Sequence, residues 1–122
     1  MKWYEELPLD CPPDEAYSPE GCYFRLGSIP PDDSDFWSHR QRFPHKVFQV
    51  NECVARSLSI FDDKESVEKL KRLIPAMRSK PIFQVDLTEK DGLIQQTGND
   101  VHHFSWWRST EFDLSMIKIF DQ

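Results

Sequence analysis

The sequence predicts an α+β domain in which strand, helix, strand and helix are followed by about four mostly antiparallel strands. Three observations carry that expectation: an amphipathic helix pattern over 63–74, a late run of short alternating segments from residue 82 onward, and seven of the nine prolines within the first 44 residues. With 122 residues, 39% of them hydrophobic, the chain reads as one domain, and a domain of this size buries roughly two thirds of its unfolded surface without needing a metal or a disulfide. Apolar runs extend over only a few residues, where a spanning helix needs about 20, so no membrane crossing is expected. The first residues, MKWYEE, lack the apolar core of a secretory signal, and cytoplasm is the expected compartment.

Each element has its own reason. Proline fixes φ and removes a donor, which predicts an extended, irregular arm over 1–21. Trp3, Tyr4, Leu7, Leu9 and Tyr17 give that arm apolar area to lie along a core, at about 2 kcal/mol for each large aromatic fully buried. Residues 22–27 are aromatic and end in Gly27, a strand with Arg25 inside it. Asp32, Asp33, Ser34 and Asp35 supply caps ahead of Phe36, Trp37 and Arg40, the start of a short helix. Pro44 interrupts the segment over 41–50, where Val47, Phe48 and Val50 suggest an extended stretch toward Cys53.

Over 57–61 hydroxyl and apolar residues alternate, then Asp62 and Asp63 cap the next helix. That helix shows Val67, Leu70, Leu73 and Ile74 on one face, is supported by the pairs Glu65 with Lys69 and Glu68 with Arg72, and ends at Pro75. Phe83, Val85 and Leu87 share a face of a strand over 82–87, and Lys90, Asp91 and Gly92 turn into Leu93 and Ile94. A turn at Gly98, Asn99 and Asp100 leads to strands over 101–107 and 114–120.

Composition narrows the function classes. Cys11, Cys22 and Cys53 are odd in number, and their spacings fit no disulfide framework, which predicts free thiols in a reducing compartment. No metal site is expected: His102 and His103 are the one close pair of candidate ligands, and neighbours on a strand point to opposite faces. The formal net charge of -6 opposes nonspecific nucleic-acid binding. Residues 37–80 nevertheless hold ten basic against five acidic residues. That excess centres on His39, Arg40, Gln41, Arg42, His45 and Lys46, either an anion-binding face or the solvated side of a helix.

Three clusters could carry chemistry. Arg25 with Ser57 and Ser59 could clamp a phosphate, since a planar guanidinium donates two parallel hydrogen bonds; the structural alternative is an ordinary strand arginine beside a half-buried strand. His102, Phe104 and Trp106 share one strand face, a setting in which Trp106 could stack on a flat heterocycle and His102 shuttle a proton; the alternative is an aromatic core strand. Cys53 as a nucleophile with His45 or His102 as base lacks a neighbouring activator in sequence, and a packed thiol is the simpler reading.

The strings CYFRL at 22–26, CVARSLSIF at 53–61 and HHFSWW at 102–107 resemble a family of small uncharacterised bacterial proteins, which implies a bacterial source and no particular activity. Arg25, Ser59 and Glu111, in that order, also resemble the ADP-ribosyltransferase-like fold, including RES-type NAD-degrading toxins. That resemblance implies NAD as substrate rather than as a resident cofactor. Arg25 would hold the dinucleotide, a hydroxyl-bearing strand would lead into a helix, and Glu111 would serve the ribose while the nicotinamide glycosidic bond is cleaved. The competing expectation is a non-catalytic acidic protein of the immunity or antitoxin type that neutralises a basic toxin or other target protein, with Trp3 or Trp37 as an anchor.

Overall fold

Proline at positions 8, 12, 13 and 19 keeps the start of the chain out of regular ladders, and the computed structural model, which describes residues 1–120, shows an extended arm there. The arm is fastened at three places. Trp3 bridges to Ser109 and Tyr17 to Ile94, and Cys11 forms a disulfide with Cys53, 42 residues away. That pairing corrects the expectation of three free thiols; Cys22 alone is free, and it is exposed. Sequence spacing could not reveal the bridge, because the fold rather than the chain brings the two residues to a Cα separation of 5.5 Å.

The α+β class is as predicted, with one six-stranded sheet in the order β4-β5-β2-β1-β3-β6. Its strands are β1 (Gly21–Leu26), β2 (Leu58–Phe61), β3 (Ile82–Leu87), β4 (Gly92–Gln96), β5 (His103–Arg108) and β6 (Lys118–Phe120), every neighbouring pair antiparallel. The predicted segment 114–120 divides into a 3₁₀ turn, Leu114–Met116, and the short β6. Helices are α1 (His39–Arg42), α2 (Glu52–Ala55) and α3 (Lys64–Leu73). Cys53 therefore sits in a helix capped by Asn51, where the sequence predicts an extended stretch leading into it.

One face of the sheet carries the core. Tyr23, Leu58, Ile60, Phe83, Val85, Leu87, Ile94, Phe104 and Trp106 alternate inward along their strands, and Phe36 and Phe112 close over them. Phe36 lies stacked 5.9 Å from Phe83, and Phe112 meets the Trp106 ring edge-on at 4.8 Å. Phe36 is carried by a 3₁₀ turn, Asp33–Phe36, whose capping box joins Asp32 and Asp35.

α3 begins at the predicted Asp63 cap. Its expected apolar stripe is only partly used: Val67 is fully buried, whereas Leu73 is 68% exposed. Ile74 precedes Pro75 and is extended rather than helical, so the helix ends one residue short of the expected stripe. Lys71, one turn beyond Val67 on the same face, is buried in place of an apolar residue, its aliphatic stem doing the covering. Val67→Ala should therefore cost about 2 kcal/mol in urea unfolding, while Leu73→Ala should stay within about 0.5 kcal/mol. Equal effects would place both residues in one packed stripe.

The sheet is nearly split in two. β1 and β3 share six registered pairs, yet β1 and β2 share a single one, Phe24 with Phe61. Beyond that pair the strands diverge toward Leu26 and Leu58, leaving backbone groups of β2 without a ladder partner.

Candidate functional site

Arg25 occupies that gap. Its Nη1 donates to the Ser59 carbonyl at 2.6 Å and its Nε to the Asp35 carbonyl at 3.0 Å, so a side chain supplies the donor that a paired strand would have provided. Burial, and next the charge of Arg42, lower its pKa to about 10, with Asp35 opposing. The Asp35 carboxylate is engaged locally, accepting from Ser28 Oγ at 2.8 Å and from the Asp32 amide at 2.9 Å. Among the described residues no carboxylate lies within 4 Å of the charged groups of Arg25 or Arg42.

Further basic residues lie nearby. His39 opens α1 and is exposed, yet surrounding protein, and then the charges of Arg25, Arg42, Lys46 and His103, lower its pKa, so the imidazole is neutral near neutral pH. Arg40 organises the loop that carries Lys46. It is gripped by both oxygens of Glu52 at 2.9 Å, and its Nη1 donates to the carbonyls of Phe43, Pro44 and Lys46. Arg42 and Lys46 remain exposed, within reach of a ligand. The basic run in the sequence is thus divided: Arg40 is structural, Lys46 lies over the rings of Phe43 and Phe48, and Arg42, donating to the Ser34 carbonyl, is near enough for its charge to act on Arg25.

A hydroxyl cluster lies against the same strand. Ser59 Oγ is 3.0 Å from His103 Nε2, and His103 Nδ1 is 2.9 Å from the Thr97 carbonyl. Thr97 Oγ1 in turn lies 2.8 Å from Ser105 Oγ. β2 and β5 pair Ser59 directly with Ser105, which places these side chains on the face opposite the core. Alternation along β5 is legible in the sequence, but which histidine meets Ser59 depends on the register between β2 and β5.

The other predicted site residues stand apart from this cluster. His102 lies at the surface, its Nδ1 2.7 Å from Asp62 Oδ1. Trp106 is fully buried, flanked by Phe36 and Phe112, and its indole donates to the Asp91 carbonyl at 3.0 Å, so no ligand can stack on it without opening the core. The Ser57 hydroxyl donates to the Val54 carbonyl at 2.7 Å and closes α2. Glu111 is exposed in the turn after β5, its amide donating to Ser109 Oγ. Cys53 is in the disulfide and is no nucleophile while it remains there. Arg25 and Ser59 meet as expected, though through the Ser59 carbonyl rather than its hydroxyl.

His102 has a consequence for stability. The hydrogen bond to Asp62, with the charges of Asp62, Asp63 and Asp100, raises its pKa above the ordinary 6.5. A raised folded pKa contributes stability that is present in full below the unfolded value and is lost as pH rises through the folded one. The stability difference between wild type and His102→Gln should be largest near pH 6 and shrink on going to alkaline pH. A difference constant with pH would show that the ion pair contributes nothing.

Among the described residues no group of three or more His, Cys, Asp or Glu side chains is placed to hold a metal ion, and no helix is long and apolar enough to cross a membrane. Compared with protein-family models, curated proteins and solved structures, the chain matches none.

Proposed function

We propose that the protein binds the pyrophosphate of NAD at the gap between β1 and β2 and cleaves the nicotinamide glycosidic bond, in the manner of an ADP-ribosyltransferase-like enzyme. The observation that carries this reading is the nearness of Arg42 to Arg25, close enough for its charge to disfavour the Arg25 cation, with no carboxylate within 4 Å of either among the described residues. Unpaired cations held together repel one another, and a dianionic ligand relieves that cost while accepting charge-assisted hydrogen bonds. The strand order supports it further, since β2 runs through Asp62 and Asp63 directly into α3. Glu111, which follows Arg25 and Ser59 in the order of the resemblance, would stabilise the positive ribose ring as nicotinamide departs.

Incubation of the wild-type protein with NAD tests the reading: free nicotinamide should accumulate, and Glu111→Gln should slow its release by about 100-fold or more. Absence of nicotinamide on long incubation would contradict it.

A second reading, the acidic partner-binding protein, is favoured by the arm. Leu9 is 93% and Tyr17 51% exposed among Asp10, Asp14, Glu15 and Glu20. Trp3 and Trp37, the anchors expected from sequence, are both half-buried.

A further inference from the structure

We infer that Ser59 is an activated nucleophile with His103 as its general base, and that the protein transfers the acyl group of an ester with an aliphatic acyl chain. The hydrogen bonds set the roles. A carbonyl oxygen can only accept, so the His103 nitrogen facing the Thr97 carbonyl at 2.9 Å carries the proton, and the lone pair of Nε2 faces the Ser59 hydroxyl at 3.0 Å. Nucleophile, base and a third group orienting the base are the three parts that serine activation requires. Phe61 holds the ring from the side, edge-on at 5.2 Å between centroids.

The surroundings select the substrate. His103 also lines a groove of about 370 Å³ between α3 and the turn at Gly98, walled by Phe61, Leu70 and Leu73. Leu73, exposed on α3, gains a purpose there as a wall for an aliphatic chain. The Ser59–His103 pair thus lies at the edge of a largely apolar groove, which suits the acyl chain of an ester. This activity is independent of NAD chemistry.

In the reaction Ser59 Oγ attacks the ester carbonyl carbon while its proton passes to His103 Nε2. The bond from that carbon to the alcohol oxygen breaks, and the alcohol leaves with the proton. Water, giving a proton to His103, then attacks the acyl-Ser59 ester; serine is regenerated with that proton and a carboxylic acid is released.

Wild-type protein mixed with 4-nitrophenyl hexanoate should release a burst of nitrophenolate, with the hexanoyl group found on Ser59 by peptide mass spectrometry. Ser59→Ala should abolish the burst, and His103→Gln should slow it by about 100-fold or more, circular dichroism confirming that both variants fold. A fluorophosphonate, which forms an oxygen–phosphorus bond and expels fluoride, should label wild-type Ser59, so the assignment does not depend on any variant folding. No burst, acylation at a lysine instead of Ser59, or no fluorophosphonate adduct would overturn the inference. Nicotinamide release is unaffected by these outcomes, so failure here is distinguishable from failure of the NAD reading.

Discussion

Replacing Cys11 and Cys53 together by serine should lower the unfolding free energy by about 4 kcal/mol. A bridge closing a loop of 42 residues removes chain entropy from the unfolded state, and the loop-length relation gives that figure at room temperature. The bridge also joins two parts of the structure with few other links. On one side is the proline-rich arm; on the other is α2, whose Glu52 holds both Arg40 and Arg56 and whose Cys53 carbonyl accepts from the Trp107 indole at 2.8 Å. Dithiothreitol acting on the wild type should reproduce most of the loss. A decrease below about 1 kcal/mol would mean that the arm is held by its other contacts. Disulfides persist in oxidising compartments, so the cysteines no longer argue for the cytoplasm.

Arg25→Lys should weaken NAD binding by about tenfold or more and also lower stability by about 1–3 kcal/mol. From sequence alone only the first effect is expected, because a strand arginine that clamps a ligand need hold nothing else. The structure adds the second. The guanidinium donates from two nitrogens to the carbonyls of Ser59 and Asp35, bridging the divergence of β1 and β2 and fixing the turn that carries Phe36. An ammonium on a flexible stem keeps the charge but cannot reach both carbonyls in one geometry. Titration calorimetry and urea unfolding on the same variant separate the effects. A variant with wild-type stability and weakened binding would mean that the carbonyls find other donors; unchanged binding would remove Arg25 from the site.

The fold is legible where local rules act alone. Strand alternation at 82–87, the Asp63 cap and the Pro75 stop all depend on residues close in sequence, and each element forms near its predicted place. Leu73 and Ile74 depart from expectation because periodicity shows which residues share a helix face, not how far along it neighbouring elements cover that face. The site is half legible. Arg25 and Ser59 stand out as chemistry-bearing strand residues, and the basic run at 39–46 is visible as charge. Their convergence requires the near-split between β1 and β2, a tertiary feature set by a single registered pair. Sequence favours His102 over His103 although both lie beside indoles, and only the pairing of Phe61 with His103 decides which imidazole lies over β2.

The measurement that tests the cationic gap most directly is calorimetric titration of the wild-type protein with NAD and with inorganic pyrophosphate, at low and at high salt. Both should bind at one site at millimolar concentration or below, each weakened by salt and by Arg42→Ala, since the interaction is between exposed cations and a dianion. Heat indistinguishable from dilution for both ligands would contradict the account, and the acidic arm would then be the part of the molecule to present to partner proteins.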